Sequence, residues 1–283
     1  MAVPTLARVA PDVSPFRTAY ARLTEVFPSL GVTETTARES LPEGDGWVRA
    51  SDLAAGGAAL ESFLAWDEEQ ILRDYGQRGR PDVIASFGLH RYAWPVCLLI
   101  TIPWFLQRRV PRIPVGAVSF QRSLGRLAVH LEEFACLPDD PAAAAPGARV
   151  VPDEEALRAA VRDAVAEHLA PVLEGFRPRM RRGSRALWGM ATDEVTEGLW
   201  YLGHLLGEEP RAMAEAERLL PGALQPFSQA AGFRTLTGPG GEALTTRNRA
   251  SCCLFYTLRP QDTCVTCPRT CDAERIERMT VTS

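Results

Sequence analysis

Residues 154–206 read EEALRAAVRDAVAEHLAPVLEGFRPRMRRGSRALWGMATDEVTEGLWYLGHLL. Leu157, Val161, Ala164, Val165, His168, Val172 and Phe176 recur every three or four positions. A stripe of that period marks a helix packed on one face. A second helix is expected from about Ser184 to Leu206, and Pro210 and Pro221 bracket a third, short one. Upstream, 16–28 and 51–78 carry apolar residues at helical spacing, as in Leu60, Phe63, Leu64, Ile71 and Leu72, with Ser51 and Asp52 placed as N-caps. Residues 93–106 (AWPVCLLITIPWFL) form the most apolar run. With Pro95 and Pro103 inside it, the run is too short and too broken to span about 30 Å of hydrocarbon as a helix, so it reads as core and no transmembrane segment is expected.

Between 115 and 136 (VGAVSFQRSLGRLAVHLEEFAC) the period changes to two: Val118 and Phe120, then Leu127, Val129 and Leu131, with 123–125 between them. That pattern predicts a β-hairpin. The chain accordingly divides into an N-terminal helical and β-hairpin part (1–137), a Pro/Ala/Gly linker (138–152), a helical part (153–222) and a C-terminal segment of glycine-rich turns and cysteines (223–283). The expected fold class is mainly α with a small β-hairpin or sheet element, a helical body followed by a cysteine-rich segment.

Composition narrows the chemistry. The formal charge is −4, which provides no overall field for a polyanion, and no nucleic-acid motif is present. All 31 basic residues are Arg. Without lysine there is no Schiff base, no P-loop amine and no kinase lysine. Residues 1–15 lack a continuous apolar stretch, so the expectation is no signal peptide and a cytoplasmic protein.

Five of the seven cysteines fall in SCCLFYTLRPQDTCVTCPRTC, residues 251–271. Cys252 and Cys253 are adjacent; ten residues separate them from Cys264, two more lead to Cys267, and Cys271 follows after three. Such clustering in an intracellular protein points to metal or redox chemistry rather than a disulfide framework. An iron–sulfur cluster takes four thiolates. A zinc ribbon also takes four, but commonly from two separated C-x-x-C knuckles, and only Cys264/Cys267 form one here. A thiol–disulfide site would use the C-x-x-C of Cys264 and Cys267, although no βαβ unit precedes it. All three readings stand on spacing alone.

The run Cys252-Cys253-x10-Cys264-x2-Cys267-Pro268, preceded by Arg249 and containing Phe255-Tyr256, resembles the C-terminal motif of the FhuF-like ferric-siderophore reductase family. The stretch 167–171 (EHLAP) and the stretch 184–189 (SRALWG) look like the helical region that these reductases share with the C-terminal part of siderophore synthetases. The resemblance implies a [2Fe–2S] cluster on Cys252, Cys253, Cys264 and Cys267, with Cys271 outside the pattern. It also implies one-electron reduction of a ferric siderophore of the hydroxamate type, with release of Fe(II) in the cytoplasm. No G-x-G-x-x-G fingerprint for a nicotinamide is present at 238–241, so the electron is expected from an external donor such as a ferredoxin, a flavodoxin or their reductase. The alternatives are a zinc-stapled binding module without catalysis, and an iron–sulfur carrier or sensor.

Other residues have ordinary explanations beside functional ones. His168 lies on an apolar stripe and reads as a core histidine, while His90, His130 and His204 lack an i,i+4 partner and are assigned no metal. Arg177, Arg179, Arg181, Arg182 and Arg185 read as a solvated loop or as a docking patch for an acidic donor or an anionic chelate. The six tryptophans are expected mostly in the core, and Cys97 and Cys136 as small buried thiols.

Overall fold

The computed structural model describes residues 14–36 and 39–281. Of the stretch read for a leader, all but residues 14 and 15 lie outside the described residues. In chain order the elements are α1 (Arg17–Val26), β1 (Gly31–Thr35), β2 (Trp47–Arg49), α2 (Ala50–Ala55), α3 (Gly57–Tyr75), α4 (Pro81–Gln107), β3 (Arg109–Pro111), β4 (Val118–Gln121), β5 (Arg126–His130), β6 (Phe134–Cys136) and β7 (Ala148–Val150). They continue with α5 (Glu154–Met180), α6 (Ser184–Leu206), α7 (Glu209–Leu219), β8 (Phe233–Thr237), β9 (Ala243–Arg247) and α8 (Asp272–Val281). The fold is mainly α with small sheets, as the sequence pattern predicts.

The most apolar run lies within α4, a helix of 27 residues with Pro95 and Pro103 inside it. Each internal proline removes a backbone bond at a cost of roughly 3 kcal/mol. Burial on all sides offsets this: every residue from Val96 to Phe105 is buried, Trp104 completely. Among the described residues α4 is the one helix long and apolar enough to cross a membrane, but 78% of its most apolar stretch is buried inside the protein. It is the core helix, and α1, α3, α5 and α6 pack around it.

The hairpin is present and belongs to a larger sheet. β4 and β5 pair antiparallel, with Val118 opposite Val129 and Phe120 opposite Leu127. Their turn requires glycine, because Gly125 has φ +59 and a Cβ there would stand 2.1 Å from the Ser29 carbonyl. β1 adds parallel to β5 and β2 antiparallel to β4, giving the order β1-β5-β4-β2.

Two expectations need correction. Ser51 and Asp52 are not N-caps: α2 starts at Ala50 after an extended Arg49, and Gly56 and Gly57, both at positive φ, break 51–78 into two helices. The 138–152 tract is not a free tether, because it carries β7, which pairs parallel with β6, and buries Ala142 and Val151 in the same core as the helices. The C-terminal segment also joins that core through Phe227, Ala231 and Leu258.

His168 sits at the centre of α5, fully buried. Its Nδ1 lies 2.8 Å from the Ile113 carbonyl oxygen and its Nε2 lies 2.8 Å from the Tyr92 hydroxyl. The ring therefore donates from Nδ1 and accepts at Nε2, both bonds of a neutral imidazole. Burial pushes its pKa down to about 4, against the Ile113 bond. An unfolded histidine titrates near 6.5, so between these values the unfolded chain binds the extra proton. Stability from this group is complete above about pH 6.5 and is lost as the pH falls toward about 4, by up to about 3 kcal/mol. His168→Gln should remove this part of the acid slope in urea unfolding; identical slopes in both proteins would exclude the assignment.

Candidate metal centre

The cysteine loop is fastened at its start by helix α6. Gly189, Asp193 and Glu197 follow at intervals of four and so share one face. A Cβ on Gly189 would stand 3.1 Å from the Ala250 carbonyl and 3.3 Å from Ser251 Cβ, so a side chain there would crowd the loop out. One turn later Asp193 accepts the backbone N–H groups of Ala250 and Ser251, each at 2.8 Å. It also pairs with Arg247, whose side chain is wholly buried. Arg247 extends to Glu197 at 3.1 Å and to the Ala231 carbonyl at 3.1 Å. Burial raises the Asp193 carboxyl above its ordinary value, while Arg247, Arg249 and the two N–H groups pull the other way and favour the carboxylate.

On the opposite side, α3 and α4 hold the next residues. Ser86 donates to the Cys253 carbonyl at 3.0 Å, and Gln77 donates to the Leu258 carbonyl at 2.7 Å. Phe255 lies against Tyr75 and Phe87, with ring centroids 5.7 and 6.3 Å away. The second half of the loop is tied by α8. Arg275, 2% exposed, donates to the carbonyls of Cys267 (2.8 Å), Thr270 (3.1 Å) and Arg247 (3.3 Å) and to Asn248 Oδ1 (3.2 Å). Arg278 adds bonds to Thr263 and Gln261. Within the loop the Cys267 N–H reaches the Cys264 carbonyl at 3.0 Å, closing the turn that carries both thiols.

The four expected ligands therefore share one fastened loop. Burial pushes the Cys253 thiol up, and Cys264 and Cys252 push the same way, so each lies within electrostatic reach of Cys253. The Phe255 N–H and the Arg249 guanidinium act against that rise. Cys252 Sγ accepts the Leu254 N–H at 3.4 Å, and Cys264 Sγ lies 3.6 Å from Thr266 Oγ1. Cys267 is buried and Cys264 exposed. Among the described residues no three His, Cys, Asp or Glu side chains are grouped to hold a single metal ion. Four thiols, with N–H and O–H donors aimed at sulfur and a cation beside them, fit an anionic group carried on thiolates. Cys271 is exposed and stands immediately before α8, where its carbonyl accepts the Arg275 N–H at 3.0 Å.

Residues 249–269 match the FhuF 2Fe-2S C-terminal domain, a match covering less than a tenth of the chain. This segment is a [2Fe–2S]-binding domain of the FhuF type, in agreement with the motif resemblance. No curated protein and no solved structure matches the chain.

The remaining candidates separate clearly. Arg182 reaches the loop, donating to Ser251 Oγ at 3.0 Å, whereas Arg177 and Arg179 pair with Glu174 and Glu61. His90 binds the buried Glu194 at 2.7 Å, which raises its pKa; His204 pairs with Glu209. Trp104 is core, but Trp47, Trp66, Trp94, Trp188 and Trp200 are only half-buried. Cys97 and Cys136 are buried, as expected.

Sequence reasoning missed Asp193, Arg247 and Arg275. Asp193 and Glu197 at i,i+4 inside an otherwise apolar helix were the signal for the first two; Arg275 had none. Asp193→Asn leaves the buried Arg247 with Glu197 as its remaining carboxylate partner, which should lower stability by up to about 3 kcal/mol, the low end for breaking a buried pair. It should also lower the iron and sulfide held per chain. A variant with wild-type urea midpoint and cluster content would show that Asp193 does not fasten the loop.

Proposed function

We propose that the protein is a ferric-siderophore reductase of the cytoplasm. It takes one electron from an external donor and passes it to the Fe(III) of a siderophore of the hydroxamate type, releasing Fe(II). The observation that carries this reading is the FhuF 2Fe-2S domain match across all four thiols at 252, 253, 264 and 267. When bound, the [2Fe–2S] group supplies single-electron redox chemistry. One electron is sufficient, because six hard oxygen donors favour Fe(III) and hold the larger, softer Fe(II) far less tightly.

The chain's own residues have definable parts in this reaction. Arg249 is mostly buried, and its burial opposes its charge; Asp193, Glu197, Glu194 and Cys253 more than offset that and keep it protonated at any physiological pH. It is a fixed positive charge beside thiolate donors, favouring acceptance of negative charge there. The Leu254 and Phe255 N–H groups act in the same sense at Cys252 and Cys253. The exposed Cys264 gives the site a face toward solvent, while Arg275 and Asp193 hold the loop backbone in place during electron uptake and release.

Anaerobically purified protein should contain two irons and two sulfides per chain if it carries one [2Fe–2S] cluster. It should show an electron paramagnetic resonance signal after dithionite and lose it on adding a ferric hydroxamate, with Fe(II) trapped. Replacing Cys252, Cys253, Cys264 or Cys267 by Ser should abolish or shift the visible spectrum and the rate. A colourless protein with one zinc would overturn the reading in favour of a binding module. A reducible cluster that ignores ferric chelates would make it a carrier or sensor.

A further inference from the structure

The cysteine loop is bordered by guanidinium groups from four separate parts of the chain. Arg80, 59% exposed, caps the start of α4 and lies within electrostatic reach of Tyr256 in the loop. Tyr256 in turn carries Arg269 over its ring at 3.8 Å. Arg259 stands over Tyr75, the ring that contacts Phe255. From the turn between α5 and α6, Arg182 touches Ser251, and Arg181 lies within reach of Asp82, the partner of Arg80 at 3.0 Å. These contacts tie the arginines to Ser251, Phe255 and Tyr256, the residues next to Cys252 and Cys253 in the chain. Arg80, Arg181, Arg259 and Arg269 are all exposed.

We propose that this arginine rim is the docking surface for a small acidic protein that delivers the electron, a one-electron carrier of the ferredoxin kind. The proposal rests on the reductase reading for its purpose. The carrier gives up one electron, this protein takes up one, and no bond forms or breaks.

Three observations favour a protein as the occupant. The chain as a whole is at −4, whereas the rim sets Arg80, Arg181, Arg182, Arg259 and Arg269 against Asp82 and Asp262, a local excess of positive charge that favours an acidic partner at this face. The groups are exposed and spread along several loops, an arrangement that meets a broad opposing surface. Two cavities, of about 250 and 470 Å³, both lined by Arg112 and Glu133, touch neither the thiols nor the rim. A small anionic chelate needs such a concavity, and neither cavity provides one beside these arginines.

The test uses the cluster-loaded protein and two probes: a plant-type ferredoxin, gallium-substituted for binding and reduced for kinetics, and the methyl viologen radical cation, which has no acidic surface. For the wild type, ferredoxin affinity and the rate of cluster reduction should both fall steeply as salt is raised to about 0.5 M. The triple variant Arg80→Gln/Arg259→Gln/Arg269→Gln should lose about tenfold or more in both at low salt. Its visible spectrum should not change, and its rate with the cationic viologen should hold or rise, because like-charge repulsion has been removed. The single variant Arg259→Glu should move in the same direction, and serves if the triple variant loses its cluster. Salt-independent binding, or variants equal to wild type with ferredoxin, would overturn the proposal. So would a loss confined to oxidation by an anionic ferric catecholate, which would assign the rim to the substrate. If salt-dependent docking persists and ferric chelates fail to oxidise the protein, the reductase reading falls and the docking surface stands.

Discussion

The cysteine loop depends on one carboxylate. Asp193 sits completely buried on α6 and accepts the N–H groups of the two residues that precede Cys252 while pairing with the equally buried Arg247. Taking both charges out of water costs several kcal/mol per ion unless every donor and acceptor finds a partner. Here the remaining donors of Arg247 reach Glu197 and the Ala231 carbonyl. The pair thus joins a rigid helix, the end of strand β9 and the entrance of the loop. A backbone with few regular hydrogen bonds of its own is given a fixed starting point.

The other end is fixed differently. Arg275 binds carbonyls from Arg247, Cys267 and Thr270, so one side chain links the beginning and the end of the loop. The planar guanidinium can do this because its donors point in several directions at once. An ammonium would present its three protons from one point. Between the two clamps, Ser86 and the Phe87 ring attach the loop to α4, the core helix, and Gln77 attaches it to the connection between α3 and α4. The position of the thiols therefore follows from core packing, although none of Cys252, Cys253, Cys264 and Cys267 lies in a helix or a strand.

The sequence was most legible where periodicity is local. The stripe from Leu157 to Phe176 is buried throughout, and α6 spans Ser184–Leu206, the range its pattern predicts. The hairpin at Val118 to His130 was visible because its partners lie a few residues apart. β1 was not: Val32 pairs with Leu127 across more than ninety positions, and no local pattern announces such a partner. Ser51 and Asp52 have good capping chemistry, but the chain begins its helix one residue earlier and breaks it at Gly56 and Gly57, where tertiary contacts decide. At the site, cysteine spacing pointed to a metal or redox segment, and the family match at 249–269 covers the same stretch. The charges that hold the set in place were hidden, because an aspartate within a helix and an arginine at the end of a strand look the same whether they face water or each other.

The absence of lysine gains meaning from this arrangement. A buried lysine readily loses its proton, since burial in a medium of low dielectric lowers its pKa. A guanidinium remains charged under the same conditions. Arg247 and Arg275 are almost entirely buried, and Arg249 is largely so: Arg247 pairs with Asp193, Arg249 stands by Asp193 and Cys253, and Arg275 binds three carbonyls and Asn248 Oδ1. A composition that a GC-rich genome would produce without selection still matters to this site. Its cations are planar guanidinium groups held by several partners at once, so the electrostatics around Cys252, Cys253, Cys264 and Cys267 are set by the fold.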